Sequence, residues 1–214
     1  MGFSPRGTSG PQVSRRGAPS SAHNIEGVRN YRRRLPHLDA PGRPVLVTWR
    51  LWGSLPRERT FFRESLTSGE AFVALDRLLD TARSGPLYLR QVEVASLVME
   101  QLRQVAADGL CWLHAFVVMP NHVHVLRTPQ VTLADLIRQV KGPTACHANR
   151  LLRRAGEPFW QQEYFDRIVR SEDEFARIRR YVEWNPVKAA LVARPENFPW
   201  SSARAEAGLK SRAG

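Results

Sequence analysis

Two histidines separated by a single residue, His122-Val123-His124, carry the clearest chemical potential in this chain. If they lie on a β-strand, side chains alternate across it, so both imidazoles leave the same face and can share one metal ion. Paired histidines on a half-exposed strand are also an ordinary surface feature, so the motif needs support from elsewhere. His23, His37, His114 and His147 have no such partner and default to structural or surface roles. A second cluster lies further on, where Ser171-Glu172-Asp173-Glu174 has the form of a capping box and opens a helix. On that helix Phe175, Ile178 and Val182 make an apolar stripe, and Tyr181 and Asn185, one turn apart, stand together on its flank. A phenol and an amide thus meet at the rim of the core. The plain alternative is a tyrosine packed at the core edge and an asparagine ending the helix before Pro186.

The surrounding pattern supplies elements able to position these groups. Val45 to Trp52 is rich in valine and tryptophan and stops at Gly53-Ser54, which predicts a first strand. Helical stretches follow at Gly69 to Ala82 and Val92 to Ala107, the second ending where Gly109 suits a helix C-terminus. Leu110 to Met119 and His122 to Arg127 read as a hairpin around Pro120-Asn121. Leu133 to Arg154 is helical in spacing, with a kink or split expected at Gly142-Pro143. Phe159 to Val169 reads as an aromatic-rich strand region, and the capped helix runs to about Asn185. Strand, helix, hairpin, helix, strand and helix is an α+β order. It predicts a ferredoxin-like split βαβ with a central antiparallel sheet and an added C-terminal helix.

Composition narrows the partner. The chain has 214 residues, enough for one sizeable domain with extensions, and a formal charge of +12 that favours a polyanion. No apolar run is long enough to suggest a membrane span, and no signal-like leader is seen, so a cytoplasmic protein acting on nucleic acid is expected. Cys111 and Cys146 have neither zinc-finger spacing nor the number needed for a disulfide scaffold. Residues 1–44 carry eight arginines, among them Arg32, Arg33 and Arg34, against Glu26 and Asp39. This Gly-, Pro- and Ser-rich segment is expected to be a basic, largely disordered arm that either contacts phosphates or is simply solvated. The expected domain then covers 45–202, followed by a tail at 203–214.

Three motifs in order, Val118-Met119-Pro120-Asn121-His122-Val123-His124-Val125-Leu126, Tyr181-Val182-Glu183-Trp184-Asn185-Pro186-Val187-Lys188-Ala189 and Phe198-Pro199-Trp200-Ser201-Ser202, resemble the REP-associated tyrosine transposases of bacteria. These belong to the IS200-like transposases, which use one tyrosine and an HUH motif in which U is hydrophobic. The resemblance spans about Arg43 to Ser202. It implies that His122 and His124 are metal ligands, that Asn185 supplies a third through its amide oxygen, and that Tyr181 on a catalytic helix is the nucleophile. The implied cofactor is Mg or Mn. The implied reaction is cleavage and rejoining of single-stranded hairpin DNA through a 5′-phosphotyrosine, without ATP, by a monomer or a homodimer.

Other residues compete for roles. Tyr164 is the rival nucleophile, although its Phe159-Trp160-Tyr164-Phe165 setting suits a strand core or a stacking platform. Lys141 is a candidate DNA contact, with a solvated lysine as the equal alternative. Where the family commonly has glycine this chain has Ala190, which matters if that position needs a positive φ. Two other functions fit the same fold: an RNA-binding module, which would present aromatics where His122 and His124 stand, and a metal-dependent nuclease that uses water and forms no adduct.

Overall fold

The structure, a computed structural model, describes Met1 and residues 29–32, 36–39, 41–55, 76–79 and 85–204. Its elements are β1 (Arg29–Arg32), β2 (Pro36–Asp39), β3 (Val45–Arg50), α1 (Val92–Ala107), β4 (Cys111–Val118), β5 (His122–Pro129), α2 (Leu133–Leu151), β6 (Phe165–Ile168) and α3 (Glu172–Lys188). A helical segment at 76–79 belongs to the stretch read as helix from Gly69 to Ala82, the rest of which lies outside the described residues.

Four strands make an antiparallel sheet in the order β4-β5-β3-β6, which is the expected ferredoxin-like arrangement. Alternation along each strand sorts the two faces. Val45, Val47, Trp49, Val123 and Val125 point toward α1 and α2, where Val94, Val98, Leu102, Leu136 and Val140 complete the larger core. Leu46, Ala115, Val117 and Leu126 point the other way and pack with Val182 of α3. His122, His124 and Thr48 share this second face by the same alternation, so the histidines lie under α3.

Arg127 is the costly residue of the first face. It is fully buried, its guanidinium carbon is 5.8 Å from the Trp49 ring centre, and its nitrogens have no hydrogen-bond partner among the described residues. Burial pulls its pKa down to about 10, against the opposing influence of Cys111 and Tyr164. The aromatic face offsets part of the cost of removing this cation from water.

Prolines did not end the helices as the sequence suggests. α2 is continuous through Pro143 and α3 through Pro186. Pro143 removes the N–H that would have served the Gln139 carbonyl, and Gln101 on α1 donates its Nε2 to that oxygen at 3.0 Å. A tertiary contact therefore replaces the missing intrahelical bond. The strand expected over Phe159 to Val169 is shorter as well: β6 starts at Phe165, and before it only Trp160 bridges to Leu51.

Caps set the ends of α3. Ser171 Oγ accepts from Glu174 N at 3.2 Å, and the Glu174 carboxylate accepts from Arg170 N and from Arg167 Nη2. At the other end Leu191 N donates to Pro186 O and Ala190 N to Val187 O, the two bonds of a Schellman turn. Ala190 sits in that turn with φ 55, so the position does require the left-handed conformation. We expect Ala190→Gly to raise stability by about 0.5–1 kcal/mol, because relief of about 1–2 kcal/mol of steric strain outweighs glycine's entropy cost of about 0.5–1 kcal/mol. A urea unfolding midpoint that falls or stays still would contradict this.

Two terminal pieces complete the sheet. Val118 N donates to Trp200 O at 2.9 Å and Val117 bridges to Ser201, so the Phe198-to-Ser202 motif covers part of the free edge of β4. Within the segment read as a basic arm, β1 and β2 pair as an antiparallel ribbon, with β2 against β6 and α2. Order there comes from backbone pairing, which an arginine-rich sequence does not advertise. Arg32 belongs to β1, whereas Arg33 and Arg34 lie outside the described residues.

Candidate metal and tyrosine site

The β4-β5 turn delivers His122 as the first residue of its strand, with Met119 N donating to His122 O at 2.9 Å. Both histidines are completely buried, and their Nε2 atoms approach to 2.9 Å. Each Nδ1 is engaged on the outer side, His122 with Asn121 Oδ1 at 2.7 Å and His124 with Thr48 Oγ1 at 2.7 Å. Asn121 donates its Nδ2 to Leu79 O, so its oxygen faces His122 and must accept the Nδ1 proton. The lone pair of His122 Nε2 is then directed at His124. Such outer partners fix the tautomer and orientation of metal-binding imidazoles.

Asp76, which the sequence reading did not single out, closes the cluster. Its Oδ1 lies 2.9 Å from His124 Nε2 and 3.6 Å from His122 Nε2, and its other oxygen accepts from the Tyr181 hydroxyl. Asp76, His122 and His124 form a buried group able to hold a metal ion. Burial alone would raise the Asp76 pKa, but His124 and His122 and the phenol hydrogen bond hold it well below the usual carboxylate range. Burial, with His124 alongside, pushes His122 down to about 3, which leaves a neutral imidazole suited to ligation.

Asn185 joins from α3. Its Nδ2 lies 3.3 Å from both Asp76 Oδ2 and His124 Nε2, and its Oδ1 is buried with no hydrogen-bond partner among the described residues. A half-turn of the amide would bring that oxygen toward the same centre. Two facing Nε2 atoms, a carboxylate oxygen and an orphaned amide oxygen are what a divalent cation would satisfy together, so the residues fit a metal.

Tyr181 is half-buried, with its ring 5.6 Å from that of His124 and the Lys188 ammonium 4.4 Å from its centre. Tyr164 instead packs in the core with α1 and α2, on the far side of the sheet. Lys141 is not brought to the site, since its Nζ donates to Gln161 O and Gln162 O at 2.6 and 2.9 Å. His114 forms a structural contact with Thr128 Oγ1 at 2.8 Å. One sequence signal could have found Asp76. In a helix over 69–82, Asp76 falls within the apolar arc of Phe72, Val73 and Leu79, where an acid needs a reason to be.

An antiparallel ferredoxin-like sheet with paired histidines beneath a helix-borne tyrosine defines a metal-ready α+β enzyme site. Residues 88–185 match the family described as "Transposase IS200 like", a span that holds both histidines, Tyr181 and Asn185 but begins after Asp76. The ISDra2 transposase TnpA of Deinococcus radiodurans is 32% identical over 98 residues, covering 42% of this chain and 69% of that protein. A solved structure of a REP-associated tyrosine transposase bound to a REP hairpin shares the fold, with a TM-score of 0.54 and 20% identity over 83% of this chain and 84% of that one. This chain belongs to the IS200-like transposases, DNA-cleaving enzymes. Among the described residues no helix is long and apolar enough to cross a membrane.

Proposed function

We propose that this protein cuts and rejoins single-stranded hairpin DNA, with Tyr181 as nucleophile. The observation that carries the reading is the meeting of the Tyr181 hydroxyl with Asp76, at the carboxylate that also faces both histidines. His122, His124, Asp76 and Asn185 would hold Mg or Mn, whose bound cation would neutralise charge on a scissile phosphate. Tyr181 Oη attacks phosphorus, the bond to the 3′ oxygen breaks, and the DNA is left on the enzyme as a 5′-phosphotyrosine with a free 3′-hydroxyl on the other piece. Asp76 Oδ2 accepts the phenol hydrogen bond and orients Tyr181 Oη, the phenol proton leaves to solvent as the new bond forms, and the departing 3′ oxygen takes a proton from solvent. A second 3′-hydroxyl reverses the step, which rejoins DNA without ATP because the phosphodiester energy is kept in the adduct.

The hairpin preference rests on the likeness to a neighbour that was captured on a REP hairpin. Arg32, Arg33 and Arg34 would contact phosphates of the same polyanion, whose approach the chain's positive charge favours. The test is incubation with a labelled single-stranded hairpin and Mg or Mn, followed by denaturing electrophoresis. Label that travels with protein until protease treatment supports the reading. Cleaved DNA with no adduct would favour a nuclease that uses water, and tight binding without cleavage would favour a recognition module.

A further inference from the structure

We propose that the exposed face of α3 formed by Arg177, Arg180, Trp184 and Lys188 is a track on which single-stranded DNA lies as it enters the tyrosine site, with Trp184 stacking on a base. The inference rests on the reading of Tyr181 as nucleophile and adds a binding surface to it. At 100° per residue, Arg177, Trp184 and Lys188 fall in one stripe beside Tyr181, with Arg180 at its edge. All four are exposed, while Val182 and Pro186 on the opposite side are buried.

Trp184 is the unusual member of this stripe. An indole that is 40% exposed contributes little to the core, yet here it stands among cations, with the Arg180 guanidinium carbon 5.5 Å from its ring centre. Lys188 then links the stripe to the site, because its ammonium lies over the Tyr181 ring. Arginine and lysine beside a partly exposed aromatic ring are what a single strand requires, phosphates meeting the charges and an unpaired base meeting the ring. From Arg177 to Lys188 the helix rises about 16 Å, room for a few nucleotides. Asp173, in the first turn, is the acid of the stripe and marks its far end. Glu183 is turned aside and pairs with Arg179 at 3.3 Å. The positive charge and the continuity with the tyrosine centre favour nucleic acid over a second copy of this chain as the occupant.

The experiment measures binding of a fluorescein-labelled oligothymidylate 20-mer by anisotropy in EDTA, so that no chemistry is required. Trp184→Ala should weaken binding by about 5- to 150-fold, the range for one stacked base, and Trp184→Phe should recover most of the loss. Arg177→Ser with Arg180→Ser should flatten the log affinity against log salt slope by about 1.4, at about 0.7 per phosphate. Arg138→Ser is the control, a cation removed from α2 across the sheet, and should leave the slope alone. Parental affinity and slope in the α3 variants would overturn the proposal, as would equal flattening by Arg138→Ser. A parent dimer that Trp184→Ala turns into monomer, with DNA binding unchanged, would give the face to a second copy and overturn it too. Because the assay needs no cleavage, failure here is separate from failure of Tyr181 to form an adduct.

Discussion

Tyr181→Phe should abolish DNA cleavage and the covalent adduct, by on the order of 10⁴-fold or more, as removal of a nucleophile commonly does. The substitution takes away one oxygen and keeps the ring that packs against the α3-side core. Its stability cost is that of one hydrogen bond to a carboxylate, about 1–3 kcal/mol at most, and Asn185 Nδ2 remains beside Asp76. The variant should therefore still fold, bind metal and bind single-stranded DNA. Tyr164→Phe should form adduct at the parental level, because that ring belongs to the opposite core. The measurement is cleavage of a labelled hairpin with Mg or Mn and a denaturing gel for protein-linked DNA. If Tyr181→Phe cut at the parental rate, the nucleophile would be another residue or water, and the single-tyrosine mechanism would fail for this protein.

The parts of this architecture that were legible in the sequence are those set by local periodicity. Alternation along Val45–Arg50 and His122–Pro129 placed the histidines on one strand face, and the Ser171 cap located the helix that carries Tyr181 and Asn185. Gly109 announced the end of α1, where it adopts φ 74. What stayed hidden depends on contacts between distant residues. Gln101 allows Pro143 to sit inside a helix, a substitution of one hydrogen bond for another that no local rule describes. Lys141 read equally as a phosphate contact or a solvated lysine, because a lone lysine carries no mark of the carbonyls to which it donates. Asp76 stayed hidden because its partners, His122 and His124 on β5 and Tyr181 on α3, are far from it in the chain. The imidazole tautomers were equally out of reach, since they follow from Asn121 and Thr48, and Asn121 is itself oriented by the carbonyl of Leu79.

Asp76 also yields the second large effect. Asp76→Ala and His124→Ala should each lower Mn affinity by at least about 10- to 100-fold, the loss that even an outer partner of a ligand commonly causes. Both remove a donor from a buried group in which Asp76 Oδ1 and the two Nε2 atoms already converge. Asn185→Ala should have the same direction of effect if its orphaned Oδ1 turns inward to ligate. Thr48→Val, which removes only the hydroxyl beside His124 Nδ1, should cost less, because the imidazole remains packed on its strand. Calorimetric titration gives the affinities. Thermal denaturation supplies an independent readout, since a ligand at 100 times its Kd stabilises the native state by about 2.7 kcal/mol. The parent should therefore melt higher with Mn, and Asp76→Ala and His124→Ala should lose that shift. Should Asp76→Ala retain both the affinity and the shift while His124→Ala loses them, the carboxylate would be a partner of Tyr181 alone. The cation would then rest on the histidines and Asn185.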